Sequence, residues 1–171
     1  SNFHNIKEKL WQGEKINIKD KILIIREQGV GDEILYASMY PDLLKKYNNV
    51  QIETDPRLIS LFERSFGKKD TFVPYTTYSN NTNELKRFNI IIFAASLGRL
   101  FRNKISDFPK KSFLTANKKK CNDLKEKLNA LNSKYKIGIA WKSKAEKLGS
   151  DKSLDLNLLL PILKLKKFTF I

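Results

Sequence analysis

The chain has 171 residues with a formal net charge of +15, and its 41% of hydrophobic residues can build one packed domain and part of another. One cysteine, Cys121, excludes an internal disulfide, and one histidine, His4, excludes both a Ser-His-Asp triad in the core and a zinc site built on histidines. With no long apolar stretch, no signal-peptide pattern and no Asp-x-Asp pair, the sequence predicts a cytoplasmic protein without a bound metal.

The basic charge has more than one interpretation. Clustered Lys and Arg side chains neutralise phosphate groups, so the charge suits a nucleic acid, an anionic ligand or a membrane surface. Here the basic residues are spread over many segments, no DNA-reading or RNA-reading motif occurs, and the abundance of Lys, Asn and Ile is typical of AT-rich coding. A solvated surface is therefore favoured, an anionic ligand or membrane headgroup stays open, and a nucleic-acid binder is only a third hypothesis.

In chain order, residues 1–20 are predicted to form a lead-in with a short amphipathic helix and a turn. Residues 22–25 are a continuous apolar run, which is typical of a strand buried on both faces of a parallel sheet. A glycine-rich turn follows over 28–32, and a helix is predicted after it. The apolar face of this helix should consist of Ile34, Leu35, Met39, Leu43 and Leu44.

This strand-turn-helix unit is the first candidate ligand site, because doubly wound sheets bind ligands at the carboxyl ends of their strands. The candidate residues are Gln28, Gly29, Gly31 and Asp32. Asp32 can be a helix cap or an acid–base group, and the cap is the commoner role. Ile34 stands where a G-x-G-x-x-G fingerprint needs its last glycine, and no phosphate loop occurs, so neither a nicotinamide nor an ATP cofactor is supported.

Further strands are predicted at 50–54, 71–74 and 89–95, and Asp55-Pro56 should open a helix between the first two of them. Ser96 and Arg99 follow the last of these strands and so belong to the same ligand edge, although Ser96 can also be a helix cap. The alternation of strands and helices predicts an α/β fold with a Rossmann-like parallel sheet.

A second domain is predicted to begin near Ser133. A charged helix over 118–132 is followed by a strand at 136–141, a basic loop, a helix at 154–163 and a strand at 168–171. We therefore expect a lead-in segment over 1–20, a Rossmann-like domain with an interdomain helix over 21–133, and the truncated start of another domain over 134–171.

Three segments of the chain, in the right order, resemble one family. They are LWQGEKI with KILIIREQGVGDEILYASMYPDL, then AASLGRLFRNKISDFPKKSFLTA, and finally KIGIAWKSKAEKLGSDKSLDLNLLLPIL. Together they resemble the glycosyltransferase-like domain of bacterial tetratricopeptide-repeat proteins, which is related to the lipopolysaccharide heptosyltransferases (glycosyltransferase family 9).

The resemblance implies the acceptor-side domain of a glycosyltransferase B-type fold, with the start of its nucleotide-sugar-binding domain. The reaction it implies is inverting, metal-independent sugar transfer from a nucleotide sugar to a hydroxyl of a glycan, glycolipid or protein, with no cofactor. Asp32 is then the catalytic base, and acceptor-binding residues are Gln28, Gly29, Gly31, Ser96 and Arg99. Residues that map onto the donor-phosphate site are Lys142, Ser143, Lys152 and Ser153.

Two features limit this expectation. Many relatives carry an Arg before the proline of the first helix, where this chain has Ser38. Most of the donor domain is also missing, so the chain as given is expected to be inactive, and a non-catalytic sugar-binding or scaffold module attached to tetratricopeptide repeats is the alternative. The basic first domain would suit peripheral contact with the inner face of the cytoplasmic membrane.

Overall fold

The computed structural model describes residues 7–78, 82–131, 133, 135–143 and 149–171. Its contacts divide the chain into two units, Ser1–Asn117 and Lys118–Ile171. The first unit contains β1 (Ile22–Ile25), α1 (Val30–Ala37), α2 (Tyr40–Lys46), β2 (Val50–Thr54), α3 (Pro56–Phe66), β3 (Phe72–Pro74), α4 (Thr82–Leu85), β4 (Ile90–Phe93), a 3₁₀ turn (Ala94–Leu97), α5 (Gly98–Phe101) and a second 3₁₀ turn (Ile105–Asp107). The second unit contains α6 (Lys118–Asn129), β5 (Tyr135–Ile137), a 3₁₀ turn (Leu156–Leu159), α7 (Leu160–Leu163) and β6 (Phe168–Phe170).

The sheet of the first unit is parallel and has the strand order β3-β2-β1-β4. Ile24 lies opposite Ile52 of β2 and opposite Ile92 of β4, so β1 is a central strand. The chain runs outward from β1 to β3 and then returns to the other side of β1 to form β4. The strand order therefore reverses between β1 and β4, and the carboxyl ends of these two strands border the crevice where such sheets bind ligands. This confirms the predicted α/β fold with a Rossmann-like parallel sheet.

Both faces of the sheet are covered by apolar side chains. On one face, the rings of Tyr40, Phe62, Phe66 and Phe72 pack together, with Phe62 and Phe72 centroids 5.5 Å apart. On the other face, the core cluster consists of Leu23, Ile25, Tyr78, Leu85, Phe88 and Ile91. Burial on both sides explains why β1 and β4 are continuous apolar runs.

The lead-in is part of the first unit. Leu10 forms an isolated parallel bridge with Ile91, and the backbone N–H of Trp11 donates to the Ile91 carbonyl at 2.9 Å. The Trp11 residue is only 8% exposed. The segment thus covers the outer edge of β4, which would otherwise offer unpaired backbone groups. The sequence prediction treated residues 1–20 as a separate lead-in, because the few apolar residues of this segment do not reveal which strand they contact. Residues 1–6 lie outside the described part of the chain.

The predicted single helix after the glycine turn is wrong in one respect: it is two helices, α1 and α2. Pro41 lies in the first turn of α2 and has no N–H that could continue the backbone hydrogen bonds of α1. The chain therefore turns at Ser38 and Met39. The break changes the buried face. Leu35, predicted to be in the core, is 64% exposed, whereas Glu33 is 1% exposed.

In the second unit, β5 and β6 pair in parallel, with Tyr135 opposite Phe168 and Ile137 opposite Phe170. The helix predicted at 154–163 is a 3₁₀ turn followed by the short α7, which has Pro161 in its first turn. Helix α6 lies in this unit and has no fully buried side chain. No helix in the described part of the chain is long and apolar enough to cross a membrane.

The aromatic cluster generates a stability prediction. Phe62→Ala should lower the free energy of unfolding by about 3–5 kcal/mol, because a fully buried ring is replaced by a cavity. Urea denaturation followed by circular dichroism measures the change. Leu35→Ala is the matched control and should cost less than about 0.5 kcal/mol, since its side chain is largely exposed. Equal losses in the two variants would contradict this assignment of the core.

Candidate functional site

The turn after β1 is a compact loop that starts α1. Gln28 has a φ of 59°, in the left-handed region, and the Arg26 Nη2 donates to its carbonyl at 2.6 Å. Gly29 precedes α1, and its N–H donates to Asp32 Oδ2 at 3.1 Å. Asp32 is the third residue of α1, so the helix begins two residues earlier than predicted. Its carboxylate caps the helix start by reaching back to Gly29.

The half-buried Asp32 side chain uses one of its two oxygens for this bond. Its Oδ1 accepts no hydrogen bond from any residue in the described part of the chain. A carboxylate held by one oxygen, with the other unengaged, can accept a proton or a hydroxyl group from a molecule at the carboxyl edge. Cap and acid–base roles are therefore compatible in geometry.

The sequence missed a buried charge at this edge, Glu33, which is 1% exposed. Its Oε1 lies 2.7 Å from Arg26 Nε, and its Oε2 accepts hydrogen bonds from the Thr54 hydroxyl at 2.7 Å and the Asp55 N–H at 2.9 Å. The end of β1, helix α1 and the end of β2 are thereby joined through one carboxylate. Burial, together with the Glu33 charge, raises the pKa of the neighbouring Tyr40. The only feature of the sequence that pointed to this buried network was the presence of polar residues directly after two apolar strands.

Arg26 also reaches the end of β3. Its guanidinium lies 4.6 Å from the ring centroid of Tyr75, which follows β3, and the Tyr75 N–H donates to the Thr54 carbonyl at 3.1 Å. The carboxyl ends of β1, β2 and β3 are thus held together by one arginine and its buried partner. This arrangement positions the glycine turn.

Asp55 starts α3 as the sequence predicted. Its Oδ1 accepts from the Arg57 N–H at 3.0 Å, and its two oxygens receive Arg57 Nε and Nη2, both at 2.8 Å. The hydrogen bonds from the Arg57 side chain are the main reason that the pKa of Asp55 falls from 3.8 to about 2. Asp55 is therefore a structural cap at the outer part of the same edge.

Across the strand-order reversal, Glu27 joins the turn after β1 to the 3₁₀ turn after β4. Its Oε2 accepts from the Ala95 N–H at 2.8 Å. Ser96, the next residue, is therefore brought to the same edge as the Gln28–Asp32 turn, as the sequence predicted for adjacent strand ends. Arg99 is used differently: its guanidinium lies 5.0 Å from the Trp11 ring centroid and donates to the Gln12 carbonyl at 3.3 Å. An acceptor contact by Arg99 would require it to leave this position.

Two of the four candidate donor residues meet in the second unit. The Ser143 N–H donates to Ser153 Oγ at 2.9 Å, and the Ser153 hydroxyl donates to the Gly149 carbonyl at 2.5 Å. The loop after β5 and the segment before the 3₁₀ turn are joined by these bonds. Lys142 and Lys152 are exposed. No group of three or more His, Cys, Asp or Glu side chains among the described residues is arranged to hold a metal ion.

Comparison with known proteins gives one informative similarity. No family model and no solved structure matches the chain. The chain is similar to the protein FlbA of Caulobacter vibrioides, with 28% identity over 145 residues that cover 78% of the chain and 24% of FlbA. It thus spans about a quarter of the length of this relative. The name FlbA states no activity.

The Glu33 network predicts a large loss of stability on neutralisation. Glu33→Gln keeps an acceptor for Thr54 but leaves the Arg26 guanidinium, which is mostly buried, without a counter-charge. We expect the free energy of unfolding to fall by about 3 kcal/mol. Glu63→Gln, which removes the same charge from α3, should change it by less than about 0.5 kcal/mol. A loss below about 1 kcal/mol for Glu33→Gln would mean that the pair contributes no more than an exposed ion pair.

The lowered pKa of Asp55 predicts how the stability of the fold depends on pH. Its pKa is lower in the folded chain than its ordinary value of 3.8, so its ionised form adds stability that is present above about pH 4 and lost as the pH falls towards 2. Asp55→Asn keeps an acceptor for the helix start but cannot ionise. Urea unfolding between about pH 6 and about pH 2 should therefore show a shallower loss of stability in the variant. Arg57→Met should reproduce the effect, and an unchanged pH dependence in both variants would contradict it.

Proposed function

We propose that the chain is the acceptor-side part of an inverting, metal-independent glycosyltransferase of the two-Rossmann-domain, glycosyltransferase B type, with the start of its donor domain. The observation that carries the proposal is the Asp32 carboxylate at the start of α1, directly after the turn at the carboxyl end of β1, with Oδ1 unengaged by any described residue. This turn borders the place where the strand order β3-β2-β1-β4 reverses, and ligands of such sheets bind there.

The sequence resemblance supplies the reaction class. The relation to the glycosyltransferase-like domain of bacterial tetratricopeptide-repeat proteins, and through it to the heptosyltransferases, is part of the proposal. Its first segment contains the glycine turn with Asp32, and its second contains Ser96, which Glu27 ties to the same edge through Ala95. Its third contains Ser143 and Ser153, which are hydrogen-bonded to each other. Each segment thus corresponds to a local arrangement of polar groups.

In the proposed reaction, the acceptor hydroxyl attacks the anomeric carbon of the donor sugar. The hydroxyl proton passes to Asp32 as the new carbon–oxygen bond forms, while the bond from the anomeric carbon to the nucleoside diphosphate breaks and its electrons leave with the diphosphate. Displacement from the opposite side inverts the anomeric centre. Cationic and N–H groups must stabilise the departing diphosphate, and Lys142, Lys152 and the two serines are the chain's contribution to this.

Acceptor recognition is assigned to the carboxyl edge. Gln28, Gly29 and Gly31 are exposed at this edge, and Ser96 offers a hydroxyl across the reversal. A glycan, glycolipid or protein hydroxyl would suit this set. With the net charge of +15, the proposal includes peripheral contact with an anionic membrane surface and does not include a nucleic acid.

One observation favours a second candidate, a non-catalytic sugar-binding or scaffold module attached to tetratricopeptide repeats. Asp32 Oδ2 accepts the Gly29 N–H, and this bond gives the residue a structural role without any chemistry. In that case the carboxyl edge would bind a sugar without transferring it, and the donor residues would form an ordinary basic loop.

Asp32→Asn separates the two candidates. Asparagine keeps an acceptor for the Gly29 N–H but cannot take the acceptor proton, so transfer by the full-length gene product should fall about a thousandfold. Turnover is measured against a panel of nucleotide sugars, and donor binding and melting temperature are measured in parallel. Asp123→Asn, which removes the same charge from an exposed position of α6, is the control and should leave turnover unchanged.

If the full-length protein binds no nucleotide sugar and Asp32→Ala only lowers the melting temperature, the module is favoured and the enzyme is rejected. Binding of a free sugar to the first unit without turnover would lead to the same conclusion. Loss of turnover in Asp32→Asn at unchanged donor affinity supports the enzyme.

A further inference from the structure

The first unit contains a cavity that the proposed reaction does not use. It is shallow and open, has a volume of about 620 Å³, and lies between α2 and the end of α5. It is lined by Lys45, Lys46, Leu100, Phe101 and Arg102 and by the carboxylates of Asp42 and Asp107. Its volume lies within the range of small-molecule sites. Neither Asp32 nor any other residue of the carboxyl edge lines it.

The Arg102 side chain, which is 6% exposed, forms a fixed wall of the cavity. Its Nη2 donates to the Ser38 carbonyl at 2.6 Å, and its Nη1 donates to Asp42 Oδ2 at 2.8 Å and to the Phe101 carbonyl at 2.7 Å. A buried arginine with three acceptors positions α5 against the junction of α1 and α2. These bonds hold the wall in place.

The two lining carboxylates are hydrogen-bonded within the protein. Asp42 pairs with Arg102, and Asp107 Oδ2 accepts the N–H groups of Asn103 and Lys104, both at 3.1 Å. Lys45 and Lys46, by contrast, make no ion pair with any residue in the described part of the chain. Three cationic side chains and two carboxylates therefore line the cavity, which leaves one positive charge in excess.

The apolar part of the wall is provided by Leu100 and Phe101. The Lys46 Nζ lies 6.0 Å from the Phe101 ring centroid and 5.3 Å from that of Tyr47, so its charge is held beside aromatic surface. A second cavity of about 490 Å³ shares Lys46 and adds Lys15 to the same side of α2. Cationic groups beside an apolar wall suit a molecule with an anionic group and an apolar or ring-shaped body.

We propose that this cavity binds a small phosphate monoester, with the phosphate between Lys45 and Lys46 and the body of the ligand on Leu100 and Phe101. Lysine ammonium groups bind phosphate as point charges and need no fork-shaped geometry. Phosphate carries more charge than a carboxylate and so benefits from two lysines. The site is separate from the carboxyl edge, and its existence does not depend on the glycosyltransferase proposal.

The test is a titration of the full chain with phenyl phosphate, with inorganic phosphate and phenol as separate probes, followed by backbone amide NMR shifts. Phenyl phosphate should move the amides of Lys45, Lys46, Phe101 and Arg102 and bind more tightly than either of the other two probes. The double variant K45Q/K46Q should weaken this binding about tenfold. K110Q/K111Q, which removes the same charge from an exposed loop outside the cavity, should change it by less than about twofold.

Three outcomes would overturn the proposal: no shift of these amides with phenyl phosphate, an equal loss of affinity in both double variants, or shifts confined to residues outside the cavity. A separate arm uses phosphatidylcholine vesicles with and without phosphatidic acid, whose headgroup is also a phosphate monoester. If the chain binds the anionic vesicles through Lys45 and Lys46 but phenyl phosphate leaves the amides unmoved, the site is a lipid contact and the small-molecule assignment is rejected.

Discussion

The carboxyl edge of the first unit depends on one buried ion pair, that of Glu33 with Arg26. Burying a carboxylate has a large desolvation cost, which is offset only when the charge is paired and its lone pairs are satisfied. The Glu33 charge is paired through Oε1 with Arg26, and its Oε2 accepts hydrogen bonds from Thr54 and the Asp55 N–H. Successive residues of a helix point about 100° apart, so the inward direction of Glu33 turns Asp32 away from the core. The buried pair therefore determines where the candidate catalytic carboxylate lies.

Much of the fold could be predicted because its strands carry their own signal. The runs at Ile22–Ile25 and Ile90–Phe93 are apolar throughout, as strands covered on both faces must be, and Asp55 before Pro56 marks a helix start. The burial of Glu33 could not be predicted in this way. Its three partners come from two other segments of the chain, and periodicity assigns a glutamate to the surface unless such partners are known.

The same limit explains the error around α1 and why the contacts of the lead-in could not be read from the sequence. Leu35 was assigned to the core because its spacing fits an uninterrupted helix, but Pro41 divides that helix and the register starts again in α2. Trp11 was left outside the domain, although it covers the edge of β4 and holds Arg99 over its ring. Local patterns specify elements well. Which edge a short segment covers is decided by the whole sheet.

At the candidate site, the sequence identified the turn, Ser96 and the alternative roles of Asp32, and the geometry shows why those roles are hard to separate by pattern. A carboxylate that caps its own helix through one oxygen has a restricted rotamer, and a fixed rotamer is also what a catalytic base needs. The hydrogen bond that makes Asp32 a helix cap thus also positions its carboxylate for catalysis, and the same bond would explain the residue if there were no catalysis. Only chemistry that needs the second oxygen, Oδ1, to take a proton distinguishes an enzyme from a module that merely folds around Asp32.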